Sequence, residues 1–317
     1  MRKKHFLFAS VLALLCGSST LHAQDFKLTS SGYFKNQGVD VMAFDDIYPE
    51  GHQGGVCIIM NGHRVATNGD IRLEATPGQW QPVPKQLDRK LGDNSITATL
   101  CYPDSSRHLT GFNPMIYPDL HLIYTVNVES KGKNIEVTVD LDRPIPQEFI
   151  GKVGFNLEFF PGSLFGKPWI MDGQSGIFPQ QPNSPLMTTQ PNYLHTGNYH
   201  DGKKSLADMD KLIGKGYSPI VADDIISEPY AKGTKFTSRP DDPYNKVTIE
   251  SLSGDLQLFD GRMNHNNGWF VLRSNIKPGV TKGAVKWIIT PNVVADWMYQ
   301  PVIQTSQIGY HPAQEKE

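Results

Sequence analysis

Few side chains in this sequence are spaced for chemistry, and those few set the questions. Beyond the N-terminal segment the histidines His52, His63, His108, His121, His195, His200, His265 and His311 stand singly, with neither HExxH nor paired His/Cys spacing. His195 and His200, with Asp201, stand closest together, but loop histidines so spaced are ordinarily surface residues. No metal site and no cofactor are therefore expected. A GxSxG elbow and a glycine-rich phosphate loop are both absent, so nucleophilic acyl transfer and nucleotide chemistry have no starting point.

Hydrolysis of a glycosidic bond needs two carboxyl groups facing each other across the sugar. Asp45-Asp46, Asp223-Asp224 and Asp241-Asp242 supply acids in pairs. Adjacent acids beside Pro or Gly are usually turn formers, and on a strand neighbouring side chains point to opposite faces. Residues 158–179, EFFPGSLFGKPWIMDGQSGIFP, are richer. There Phe165, Trp169, Asp172 and Phe178 follow one another within Gly-rich loops. Aromatic planes beside an acid and amides suit a sugar, whose C–H face stacks on a ring while its hydroxyls take hydrogen bonds. These four are the candidate carbohydrate-binding residues, Trp169 and Asp172 foremost. The structural alternative is that the aromatics plug one end of the fold, since long loops need a small core of their own. For Trp80, Trp269, Trp287 and Trp297, in or next to strand-like runs, core or edge packing suffices.

The elements that must carry these residues read as strands. Residues 95–101 (SITATLC), 120–129 (LHLIYTVNVE), 135–141 (IEVTVDL) and 153–159 (VGFNLEF) alternate apolar with polar residues or are β-branched and aromatic throughout. Residues 130–134 (SKGKN) form a short Gly-containing connection, which predicts a hairpin. The same texture resumes at 247–252, 256–259, 269–273 and 284–290, with turn residues between. Residues 161–243 differ: rich in Pro, Gly, Asn and Gln, they hold one weak helical pattern at 204–213 (KSLADMDKLI). Loops this long inside a domain usually serve a site. An enzymatic alternative, a glycosidase or lyase site built there from acids such as Asp172 and Asp201, stays open. The fold expected is all-β, a large antiparallel sandwich with long loops and at most a short surface helix.

The first 23 residues read as a signal peptide: Arg2, Lys3 and Lys4, an apolar run, then Leu21-His22-Ala23 before Gln24. Export to the periplasm, cell surface or medium of a Gram-negative bacterium follows. Plain cleavage is favoured over a lipid anchor at Cys16, because Leu15 stands where a lipobox needs a small residue. No other segment has the ~18 apolar residues of a membrane helix. Net charge is −2, so nothing draws the chain to nucleic acid. Cys57 and Cys101 are the remaining cysteines, each within a strand-like run, and a disulfide and two free thiols are both open.

Three stretches carry a resemblance to a known family. The run from Ser306 to Pro312 (SQIGYHP), with Gln314, Glu315 and Lys316, looks like the N-Q-x-G-Y-x-P…K opening strand of the immunoglobulin-like domain that precedes the catalytic domain of glycoside hydrolase family 9. GFNLEFFPGSLFGKPWIMDGQSGIFP and LQLFDGRMNHNNGWFVLRS resemble the additional N-terminal β domain of some secreted Bacteroidetes members of that family. The resemblance implies residues 24–300 as that β domain and 301–317 as the first strand of a truncated immunoglobulin-like domain. It also implies a parent enzyme whose acids lie in an (α/α)6 barrel, so none of the family's catalytic residues maps onto this chain. For this polypeptide it implies a non-catalytic accessory role in polysaccharide breakdown, with polysaccharide or oligosaccharide as partner.

Overall fold

In a computed structural model the structure describes residues 25–45, 54–74, 76–77, 84–102, 120–182, 186–187, 226–263, 268–299 and 311. Within them the strands in chain order are β1 (Lys27–Leu28), β2 (Phe34–Asn36), β3 (Val39–Ala43), β4 (Val56–Met60) and β5 (His63–Leu73). Next come β6 (Lys85–Leu91), β7 (Ser95–Tyr102), β8 (Leu122–Lys131), β9 (Asn134–Leu141) and β10 (Val153–Phe159). β11 (Pro168–Met171), β12 (Gln174–Ile177), β13 (Leu186–Met187), β14 (Ile226–Ser227), β15 (Ala231–Gly233) and β16 (Lys235–Ser238) follow. The last are β17 (Val247–Ser251), β18 (Leu256–Asp260), β19 (Phe270–Asn275) and β20 (Val285–Pro291).

Two nine-stranded antiparallel sheets result. The first runs β1-β2-β3-β4-β5-β10-β19-β18-β15 and the second β12-β11-β16-β17-β20-β9-β8-β7-β6; β13 and β14 pair apart from both. Their inner faces meet through aromatic contacts. Phe155 of β10 stands edge-on to Trp287 of β20 at 5.0 Å, and Phe159 of β10 to Phe236 of β16 at 5.8 Å. The expected all-β sandwich is what the chain forms.

Local chemistry explains the second sheet. β7, β9 and β20 alternate buried and half-exposed residues along their whole length, the period-two signature of a sheet with one face on the core. The hairpin joining β8 to β9 closes with Lys131 opposite Asn134, and Gly132, at φ +66°, supplies the left-handed residue such a turn needs. The first sheet differs at its centre. All seven residues of β10 are buried, as are the last nine of β5, so both faces are covered there.

Two cysteines left open by the sequence are free thiols. Cys57 is on β4 of the first sheet and Cys101 on β7 of the second. Period two places Cys57 opposite in direction to the core-facing Val56 and Ile58, away from the sheet that holds Cys101. The possible disulfide is therefore not formed. The helical pattern at 204–213 lies outside the described residues, as do the segment 1–24, His195, His200 and Asp201, and all of the 301–317 tail except His311.

Candidate functional site

The four sugar-binding candidates separate into inward and outward pairs. Strand β11 turns Trp169 and Met171 inward and Ile170 outward; Trp169 is 6 % exposed, and its ring lies where a Cβ on Gly176 would stand. Phe178 is fully buried against Phe270, with ring centres 4.8 Å apart. Phe165 stays partly exposed beneath the Arg262 guanidinium, 5.1 Å from its ring centre. Asp172 is exposed at the β11–β12 turn, where its carboxylate accepts the Thr234 N–H at 2.9 Å and the Lys235 N–H at 3.0 Å. Its residue conformation is left-handed, φ +48°. The acid fixes a turn, and the two inward rings pack into the hydrophobic core.

Asp241-Asp242 also behaves as turn chemistry. Asp242 accepts the Tyr244 N–H at 2.9 Å and Asn245 Nδ2 at 3.1 Å, and pairs with Arg239. Partial burial pushes its carboxyl up, but these hydrogen bonds and the Arg239 charge outweigh it and hold it below the ordinary value. The partners in the other two acidic pairs, Asp46, Asp223 and Asp224, lie outside the described residues.

Two polar regions emerge instead, and of their residues only those at 158–163 fall in the 158–179 stretch that the sequence singles out. The first lies on the centre of the first sheet. Register pairs Asn156 with Arg273 and Glu158 with Val271, opposite in direction to Phe155 and Phe159, so these groups face away from the second sheet. Arg273, 1 % exposed, uses its guanidinium fully. Nε donates to Asn275 Oδ1 at 2.7 Å, Nη1 to Glu74 Oε1 and Asn156 Oδ1, and Nη2 to the Glu74 and Lys152 carbonyls. Gly154 permits this, because a Cβ there would stand 2.8 Å from Arg273 Nε.

β4 pairs with β5 only as far as Gly69, and beyond it tyrosines of the second sheet take over. Tyr102 Oη accepts the Leu73 N–H at 3.0 Å, and Tyr124 Oη donates to Asp70 Oδ1 at 2.8 Å. Burial pushes the Asp70 carboxyl up to about 6, against the pull of Arg72 and Tyr124. Burial likewise pushes Glu74 up to about 7, against Arg273 and Asn156. Sites of catalysis can show such shifts, and so can structural ion networks. The complete engagement of Arg273 by protein groups marks this one as a cross-strand staple.

The second region is open. At one end of the sandwich, a cleft of about 600 Å³ is lined by His63, Arg64, Val65, Phe160, Gly162, Ser163, Arg239 and Asn245. The β4–β5 hairpin brings in His63 and Arg64. The chain leaving β10 contributes Phe160, whose ring meets Trp269 edge-on at 4.2 Å, then the 3₁₀ turn Pro161–Ser163. The turn after β16 adds Arg239, held left-handed at φ +52° by its N–H to the Pro168 carbonyl and the Asp242 N–H to its own carbonyl. That conformation disfavours a long side chain, which here directs a guanidinium at the cleft. Three lining residues are basic and none is acidic. An aromatic ring, an amide and guanidinium groups around a cavity of this size match small-molecule sites in kind.

Among the described residues no group of three or more His, Cys, Asp or Glu can hold a metal, and no helix is long and apolar enough to cross a membrane.

No family model matches the chain, and no curated protein is significantly similar to it. Several solved structures are similar, these two among them. One is a galactose mutarotase related enzyme from Lactobacillus acidophilus, at 10% identity and a TM-score of 0.36, covering 81% of this chain and 96% of that one. The other is the Slr1438 protein from Synechocystis sp. PCC 6803, at 9% identity and a TM-score of 0.35, covering 84% of this chain and 96% of that one. Likeness at this level assigns no residue a role here.

Proposed function

We propose that this chain is an exported, non-catalytic carbohydrate-binding β-sandwich, an accessory module of a polysaccharide-degrading system of the glycoside hydrolase family 9 kind, and that it holds glycan in the His63–Phe160–Arg239 cleft. The observation that carries the binding claim is the cleft: an open cavity of about 600 Å³ with an aromatic ring beside an amide and basic side chains. Phe160 offers a plane for a sugar's C–H face, and Asn245 and the basic groups offer hydrogen bonds to hydroxyls. The family 9 link rests on the sequence resemblance. Glycan-array binding by the secreted chain tests the reading, and Phe160→Ala should lower affinity about tenfold, the loss of one ring contact worth about 1.4 kcal/mol. Equal binding by wild type and variant would remove the cleft as the site.

A further inference from the structure

We infer that the cleft is selective for an anionic sugar, one bearing a carboxylate or sulfate, with the acid group seated on Arg239 and the ring against Phe160. This deepens the glycan-binding reading and rests on it. Arg239 is a largely enclosed cation of the cleft, with its side chain 14 % exposed. Its guanidinium is incompletely used. One ion pair goes to Asp242, and Nη1, which carries two N–H groups, reaches only the Ser163 carbonyl, at 3.4 Å. A guanidinium this enclosed gains from further acceptors, and its planar fork matches an oxyanion better than a hydroxyl.

Asp242 offsets one unit of charge at Arg239, but it does not line the cavity, whereas Arg64 and His63 do, so the cleft itself presents basic side chains and no carboxylate. A neutral hexose offers Arg239 only hydroxyls; a uronate or sulfated sugar presents charge at the same place. The left-handed φ of Arg239 adds to the argument, since backbone strain at a non-glycine residue is commonly kept where a side chain must be aimed.

Calorimetric titration of the full secreted chain with oligogalacturonate, chondroitin sulfate oligomers and the neutral galacto- and cello-oligosaccharides tests this. The expected result is at least about tenfold tighter binding of one anionic class than of every neutral ligand, since hydrogen bonds to a charged group exceed neutral ones by that order. Raising NaCl from about 0.05 to about 0.5 M should weaken that binding severalfold. Which anionic class wins separates carboxylate from sulfate. Arg239→Gln should bring the anionic ligand down to the neutral level, with the thermal midpoint confirming a folded variant. The wild-type comparison of galacturonate against galactose as competitors needs no variant at all. Neutral ligands binding as tightly, without salt dependence, would overturn the selectivity while leaving glycan binding intact; no binding by any ligand would overturn both.

Discussion

The two large sheets obey different rules although they share one core. In the second, inward residues such as Val126, Val137 and Ile289 are fully buried while their neighbours reach solvent, and the outward side chains pair weakly at the surface, as Lys286 does with Glu136 at 3.5 Å. In the first, β5, β10 and β19 are buried on both faces, and the face turned from the core carries Asn156, Glu158 and Arg273. The difference teaches where free energy resides. Exposed pairs contribute little because water competes for both partners. A buried charge must be fully hydrogen-bonded or it costs several kcal/mol, and Arg273 meets that condition with five donated bonds.

The comparison breaks first at Arg273. Arg273→Met takes from buried Glu74 its ion-pair partner and should destabilise by about 3–5 kcal/mol in urea unfolding, whereas Thr138→Val on the outward face of β9 should stay within about 0.5 kcal/mol. Equal effects would mean that the two faces do not differ as described.

Acidity sharpens it next. Glu74 has a folded pKa of about 7 against an ordinary 4.5, so the folded state holds its proton longer than the unfolded state. The stability this confers is complete below about 4.5 and is lost as pH rises through 7. Wild type should therefore lose stability relative to Glu74→Gln across that window, by on the order of 3 kcal/mol. A difference that stays flat or runs the other way would contradict the burial of an ionisable Glu74. Tyr124→Phe removes one hydrogen bond to Asp70 and should cost about 1–2 kcal/mol, with the Asp70 carboxyl rising further.

Much of the fold was legible because the second sheet is amphipathic. Residues 95–101, 135–141 and 284–290 announce strands through alternation, and each strand forms within a residue or two of that span. The polar half of the first sheet was not. Asn156 and Glu158 in VGFNLEF look like the solvent side of a half-buried strand, and nothing local tells that this side is covered. β5 carries HRVATNGDIRL, whose polar residues hide an eleven-residue strand; a long run without Pro and with charge at positions 70, 72 and 74 was the available signal. The candidate site was legible only in composition. Aromatics in residues 158–179 pointed to that region, and Phe160 does line the cleft, but inward packing of Trp169 and Phe178 is decided by partners far away in sequence. Arg239, His63 and Asn245 come together only through sheet closure, which no spacing reveals.

The central claim, that glycan is held in the cleft, is tested most directly by following backbone amide resonances during titration with an oligosaccharide that binds. The account predicts that the largest shifts fall at residues 63–65, 160–163 and 239–245, with small ones on β8, β9 and β20. Shifts centred on Trp169 and Asp172, or on Asp70 and Glu74, with the cleft unmoved, would contradict it.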